Sequence, residues 1–182
     1  MMVTTHVAAG LLLAVSVATF APDFAIPAAI GAIIGGILPD IDFFIGAHRR
    51  TLHFPVYYTV AGGSVGLITI MTPSSLTVGI TVGLLTAGIH SLSDWFGAGE
   101  ELRPWERTSQ RAVYIHPRQQ WLRPQYVIRY DGAPEDLALT FALAVPAALT
   151  FDGWLRAIVI IGIVIAGGYT ITRKYIPRWL EL

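Results

Sequence analysis

Leu76–Phe96 reads LTVGITVGLLTAGIHSLSDWF, an apolar stretch whose only charged residue, Asp94, comes near its end. At about 1.5 Å per helical residue, such a run crosses the roughly 30 Å hydrocarbon core of a bilayer. Trp154–Thr172 fits the same length, and Thr4–Phe20, Phe24–Leu38, Val56–Met71 and Leu137–Phe151 complete a set of six apolar stretches. The composition agrees: 54% of the 182 residues are hydrophobic, 13% are charged, and the mean hydropathy is +0.60. A soluble domain carries about a quarter charged residues, so a solvated surface cannot be built from this chain. The expected fold is an all-α integral membrane protein with about six transmembrane or membrane-embedded helices, forming a single membrane domain over 1–182.

Three stretches are short. Each can lengthen into its flanks, into Phe43 and Phe44, Phe54 to Tyr58, or Pro134 to Asp136, or the bilayer can thin around it; for Phe24–Leu38 a re-entrant course stays open. Small residues four apart, Gly31 with Gly35, Ala32 with Gly36, Gly62 with Gly66 and Gly79 with Gly83, allow helix backbones to approach closely in lipid. Aromatic residues gather near the ends of the stretches, the pattern of interfacial belts.

Charge is balanced in total, with 12 Lys and Arg against 12 Asp and Glu, which argues against a nucleic-acid binder that neutralises phosphates with excess cations. It is sided along the chain. If all six stretches span, eleven of the twelve cations fall on the amino-terminal side, and only Arg156 falls on the other. The positive-inside rule then puts both termini and the one long polar interval, 97–136, in the cytoplasm of an inner, or plasma, membrane. No signal peptide is expected, because Met1 to Thr5 lacks a basic segment. Within the polar interval, Ala112 to Ile115 and Tyr126 to Tyr130 read as short β-type runs, so a small cytoplasmic hairpin is expected there.

Polar groups at membrane depth are costly and usually pair, bind something or do chemistry. Here they are His6, Asp40, Asp42, His48, His53, His90 and Asp94, and the six-helix threading brings all seven to the cytoplasmic face. His90 and Asp94, at i and i+4, share one helix face. Pro39 ends a helix, and Asp40 and Asp42 follow it as two carboxylates that can bracket one cation. With no cysteine in the chain, a metal must be held by His, Asp or Glu. Seven donors exceed the four of a closed zinc site, and a pair of divalent ions, Zn or Mn, is the natural way to use them. Arg49 and Arg50 can stabilise an anionic transition state or simply anchor the loop at the membrane surface. His116 reads as a loop-packing residue, and Glu100, Glu101 and Glu106 as a hydrated loop face.

Thr5-His6 with Gly10, then Leu38-Pro39-Asp40-Ile41-Asp42, His48-Arg49 leading to His53, and Gly88-Ile89-His90 through Asp94, followed by Trp105, form an ordered set. In order and spacing, over about residues 4–105, this set resembles the YdjM-like family of membrane-bound metal-dependent hydrolases. That family's pattern is in turn similar to the zinc-dependent phospholipase C and nuclease group. The resemblance implies that His6, Asp40, His53, His90 and Asp94 are metal ligands, with Asp42 and His48 close behind. Two departures stand out. Where the family reads Gly-x-Thr-His-Ser after His48-Arg49, this chain reads Arg50-Thr51-Leu52-His53-Phe54, and a second HxxxE helix motif is missing.

The expected activity is hydrolysis of a phosphoester or related ester at the cytoplasmic membrane surface by metal-activated water. Asp42 or Asp94 would accept the proton and Arg49 or Arg50 would steady the phosphoryl oxygens. A lipid or lipid-linked phosphate is the expected substrate, because the site lies at headgroup level. A nonenzymatic membrane regulator with a structural metal and a metal or proton transporter stay open as alternatives.

Overall fold

The structure, a computed structural model, describes residues 1–180 and is built almost wholly of helix. Helix α1 spans Val3–Phe20, α2 Ala25–Ile37, α3 Pro55–Met71, α4 Ser75–Ser93, α5 Pro134–Thr150 and α6 Gly153–Thr172; a short α7 covers Ile176–Leu180. Local sequence sets the starts. Pro55 and Pro134 open α3 and α5 at positions where a missing N–H costs nothing, and Ser74 exchanges capping hydrogen bonds with Thr77 at the start of α4. Glu135 and Asp136 stand in the first turn of α5, where carboxylates complement the helix dipole.

Each expected apolar stretch is a helix. Four helical stretches, Val3–Phe20, Pro22–Phe43, Ser75–Phe96 and Gly153–Thr172, are long and apolar enough to cross a membrane. The second reaches that length because α2 continues through a 3₁₀ turn, Leu38–Phe43, that begins around Pro39. Helix α3 is apolar but has 17 residues, and α5, also 17, holds Pro146 within it and the buried Asp136 at its start. The expectation of six spans thus narrows, by length and composition, to four.

Helix α4 lies against α2, α3 and α1, while α1 also packs on α2 and α5, and α6 leans on α5 and the edge of α1. The core combines alanines, among them Ala8, Ala14, Ala28, Ala32, Ala144 and Ala147, with larger side chains such as Leu11, Val82, Phe151 and Leu155. The α2–α4 contact is closest. A Cβ on Gly31 would stand 2.1 Å from the Gly79 carbonyl oxygen, and one on Gly35 would stand 2.0 Å from that of Gly83. Two of the four small-residue pairs identified in the sequence therefore meet each other, and at Gly31 and Gly35 nothing larger than hydrogen fits.

A hairpin forms in the polar interval, but with a different second strand. Strand β1, Val113–Ile115, pairs antiparallel with β2, Gln120–Leu122, rather than with Tyr126–Tyr130. Pro117 lies between the two strands in a single 3₁₀ turn, His116–Arg118, and left-handed Gln119 closes the connection. The backbone of 125–128 is used elsewhere: Gln125, Tyr126 and Ile128 donate to the carbonyls of Trp95, Gly97 and Phe96, tying the loop to the end of α4.

Candidate metal centre

The clamp that places His6 lies outside the expected set of site residues. Asp136, fully buried, accepts from the backbone N–H groups of Met2 (2.8 Å) and Gly132 (3.0 Å) and from Thr5 Oγ1 (2.7 Å), which fixes the first turn of α1 on α5. His6, next along that turn, stacks on His90 of α4 with ring centroids 3.6 Å apart. His53 approaches from the loop before α3, with its ring centroid 5.1 Å from that of His90. Asp40 comes from the 3₁₀ turn after α2, and Asp94 caps α4.

Asp40, His53, His90 and Asp94 each offer a ligand atom, and these atoms all lie within 4.8 Å of one another. His90 Nε2 is 3.3 Å from Asp40 Oδ1 and 3.7 Å from Asp94 Oδ2. His53 Nε2 is 3.2 Å from Asp94 Oδ2 and 3.7 Å from Asp40 Oδ1, and His6 Nε2 is 3.3 Å from the other oxygen of Asp94.

The outer nitrogens fix the tautomers. His90 Nδ1 donates to the Gly36 carbonyl at 2.8 Å. His53 Nδ1 donates to Asp42 Oδ2 at 2.9 Å. Ser93 Oγ gives its proton to the His90 carbonyl and so accepts from His6 Nδ1 at 3.1 Å. In a neutral imidazole whose Nδ1 holds the proton, Nε2 carries a lone pair. All three Nε2 atoms are buried and have no hydrogen-bond partner. Three imidazole edges thus turn toward the two carboxylates, and the Met1 ammonium donates to Asp94 Oδ1 at 2.8 Å; the histidines and carboxylates form a set that fits a cation, and their outer hydrogen bonds are those that orient metal-binding histidines. Outside the helices the same field is felt by His53: burial opposes its charge, but Asp42 and Asp94 outweigh burial and hold its pKa up at about 9.

The remaining expected residues take other places. Asp42, fully buried, spends its oxygens on His48 Nδ1 (2.8 Å), His53 Nδ1 (2.9 Å) and the Leu52 (3.1 Å) and Arg49 (3.4 Å) backbone N–H groups. It orients two histidines and stands one contact away from the converging group. His48 is 28% exposed and turns toward a cavity of about 540 Å³ that Asp40, Arg49 and Asp94 also line. Arg49, buried and left-handed at φ 60°, donates through Nη1 to the carbonyls of Ala98 and Ala112, while its Nε lies 3.9 Å from Asp94 Oδ2 with no hydrogen-bond partner. Arg50 points away and stacks over Tyr114 of the hairpin, 4.6 Å from the ring centroid. His116 packs against Phe54 and Tyr114, as a loop residue. Glu100 pairs with Arg111 and Glu106 with Arg103, away from the cavity.

Ser93 and the Gly36 carbonyl were not expected at the site, and no residue type marks them out. Asp136 carried a signal, an acid at the mouth of an otherwise apolar helix. Compared with known proteins, the chain matches no family model, no curated protein and no solved structure, so its function has to be read from this centre.

Proposed function

We propose that this chain is an integral membrane protein and a metal-dependent hydrolase that cleaves a phosphoester at the cytoplasmic membrane surface. The observation that carries the reading is the set of three buried Nε2 atoms without hydrogen-bond partners around Asp40 and Asp94, the two carboxylates that line the cavity. The resemblance to the YdjM-like hydrolases in residue order and spacing supports it. When bound, a divalent cation, Zn or Mn, supplies Lewis acidity and lowers the pKa of a water molecule. Asp40, His53, His90 and Asp94 would hold it. The second oxygen of Asp94 lies 3.3 Å from His6 Nε2 and accepts from the Met1 ammonium at 2.8 Å, so a second ion there would have to displace that ammonium.

The other residues have distinct tasks. Arg49 is anchored through Nη1 and keeps an unsatisfied Nε–H at the cavity, where it can donate to an anionic phosphoryl oxygen. His48, held by Asp42 and partly open to the cavity, is placed to carry the proton that hydrolysis moves to or from the substrate. Asp42, with its oxygens already filled by N–H donors, orients these histidines instead of accepting that proton.

Metal analysis of the detergent-purified protein should show more than one Zn or Mn per chain, falling on Asp40→Ala or His90→Ala. Turnover should appear on a panel of phosphomonoesters, phosphodiesters and phospholipids. A metal-free wild type would sink the proposal, and full occupancy with no turnover on any substrate would favour a structural metal in a regulator.

A further inference from the structure

A second cavity of about 270 Å³ lies beside the first. It runs as a groove over α1 and α5 between α2 and α6, lined by aliphatic side chains such as Leu11, Ile33, Ala144 and Ile158. Val3, Thr4, Ile37 and Ile165 border both cavities, so the groove adjoins the cavity that Asp40, His48, Arg49 and Asp94 line. From Val3 to Leu11 the groove follows α1 for about 12 Å at 1.5 Å per residue, most of the roughly 15 Å depth of one leaflet. At the junction sits one polar atom without a partner: Thr4 Oγ1 is buried and makes no hydrogen bond. Along α6, a Cβ on Gly162 would meet nothing within 4 Å, which leaves the groove wall open there.

We infer that the groove holds an acyl chain of a phosphate-bearing glycerolipid, with the phosphate at the Asp40–Asp94 end and the ester carbonyl accepting from Thr4 Oγ1. This rests on the hydrolase reading for the role of the phosphate, and it adds the substrate's tail and its route of entry. An apolar groove beside a cavity lined by Arg49, His48, Asp40 and Asp94 matches an amphiphile with an anionic head, and a hydroxyl at the border matches the acceptor that an ester linkage places one step beyond the phosphate. A prenyl chain carries no such acceptor. The groove runs parallel to helices long enough to span, so a lipid can enter sideways from its own leaflet without leaving the bilayer.

The test uses the full chain in phosphatidylcholine vesicles with a phosphatidic acid probe bearing a photoreactive diazirine midway along one acyl chain. Adducts should concentrate in 158–165 of α6 and 7–11 of α1, and unlabelled phosphatidic acid should compete while glycerol phosphate should not. Gly162→Phe should lower adduct yield about tenfold, the loss expected when two methylenes leave the groove. Thr4→Val, which keeps the shape, should weaken competition by phosphatidic acid but not by dodecyl phosphate. Adducts spread evenly over every helix, or a yield indifferent to Gly162→Phe, would overturn the groove; prenyl phosphate competing as well as phosphatidic acid would overturn the ester assignment. Metal content and turnover on a soluble phosphoester, measured on the same preparations, report on the hydrolase reading separately, because neither needs the groove filled.

Discussion

Asp42 shows how much of the centre depends on a residue that does not join the converging group. Its carboxylate holds His53 and His48 by their Nδ1 atoms, and removing such an orienting partner typically costs 10–100-fold in metal affinity. Asp42→Asn should therefore leave the helical circular dichroism intact and weaken Zn binding by about that factor in a chelator competition. A pH dependence follows from His53. Because its pKa is raised to about 9, the charged ring stabilises the metal-free fold fully below its ordinary value near 6.5, and that contribution is lost as pH rises through about 9. A cation must displace that proton, so the apparent affinity should fall about tenfold for each pH unit below 9. Calorimetric titrations in two buffers of different ionisation enthalpy would count the protons released; a count of zero would contradict the assignment of His53 as a ligand. At this scale the sequence revealed residue types but not their division of labour. Nothing in Asp40-Ile41-Asp42 says which carboxylate faces the centre, because that depends on how a 3₁₀ turn rotates them.

Among the elements, the α2–α4 contact matters most. Gly31 and Gly35 meet Gly79 and Gly83 backbone to backbone, so a larger side chain cannot escape by changing rotamer. Overpacking usually costs about 1–3 kcal/mol, and Gly35→Leu should reach the upper end or push the helices apart. Since the Gly36 carbonyl orients His90, metal retention should fall together with the melting temperature in that variant. A Cβ on Gly63 meets no atom within 4 Å, so a Gly63→Ala control should change neither. The pairing of these glycines could be anticipated from their spacing, since close helix approach in lipid needs small residues at that interval. The hairpin could not. Its second strand is chosen by where the backbone of 125–128 finds acceptors, at the end of α4, and that competition is tertiary.

For the molecule as a whole, apolar length was legible, because it is a property of the chain rather than of its packing; the placement of eleven cations on one side depends on which stretches span. Reporter tags on 97–136 and at either terminus should all be protected from an external reagent in intact cells and exposed on lysis. An accessible 97–136 would reverse the orientation while leaving the clustering of His and Asp at one end untouched. Removing the metal should also be felt globally. A cation held at 100 times its dissociation constant adds about 2.7 kcal/mol of stability, so chelation should lower the melting temperature of the wild type but not of Asp40→Ala.

The four converging donors come from the turn after α2, the loop before α3 and the end of α4, and His6, stacked beside them, comes from the first turn of α1. An ion gripping them closes loops of dozens of residues and restricts the unfolded chain much as a cross-link does. In a sequence with no cysteine, this centre is where such a staple can be made, and it can be opened by a chelator or by acid rather than by reduction.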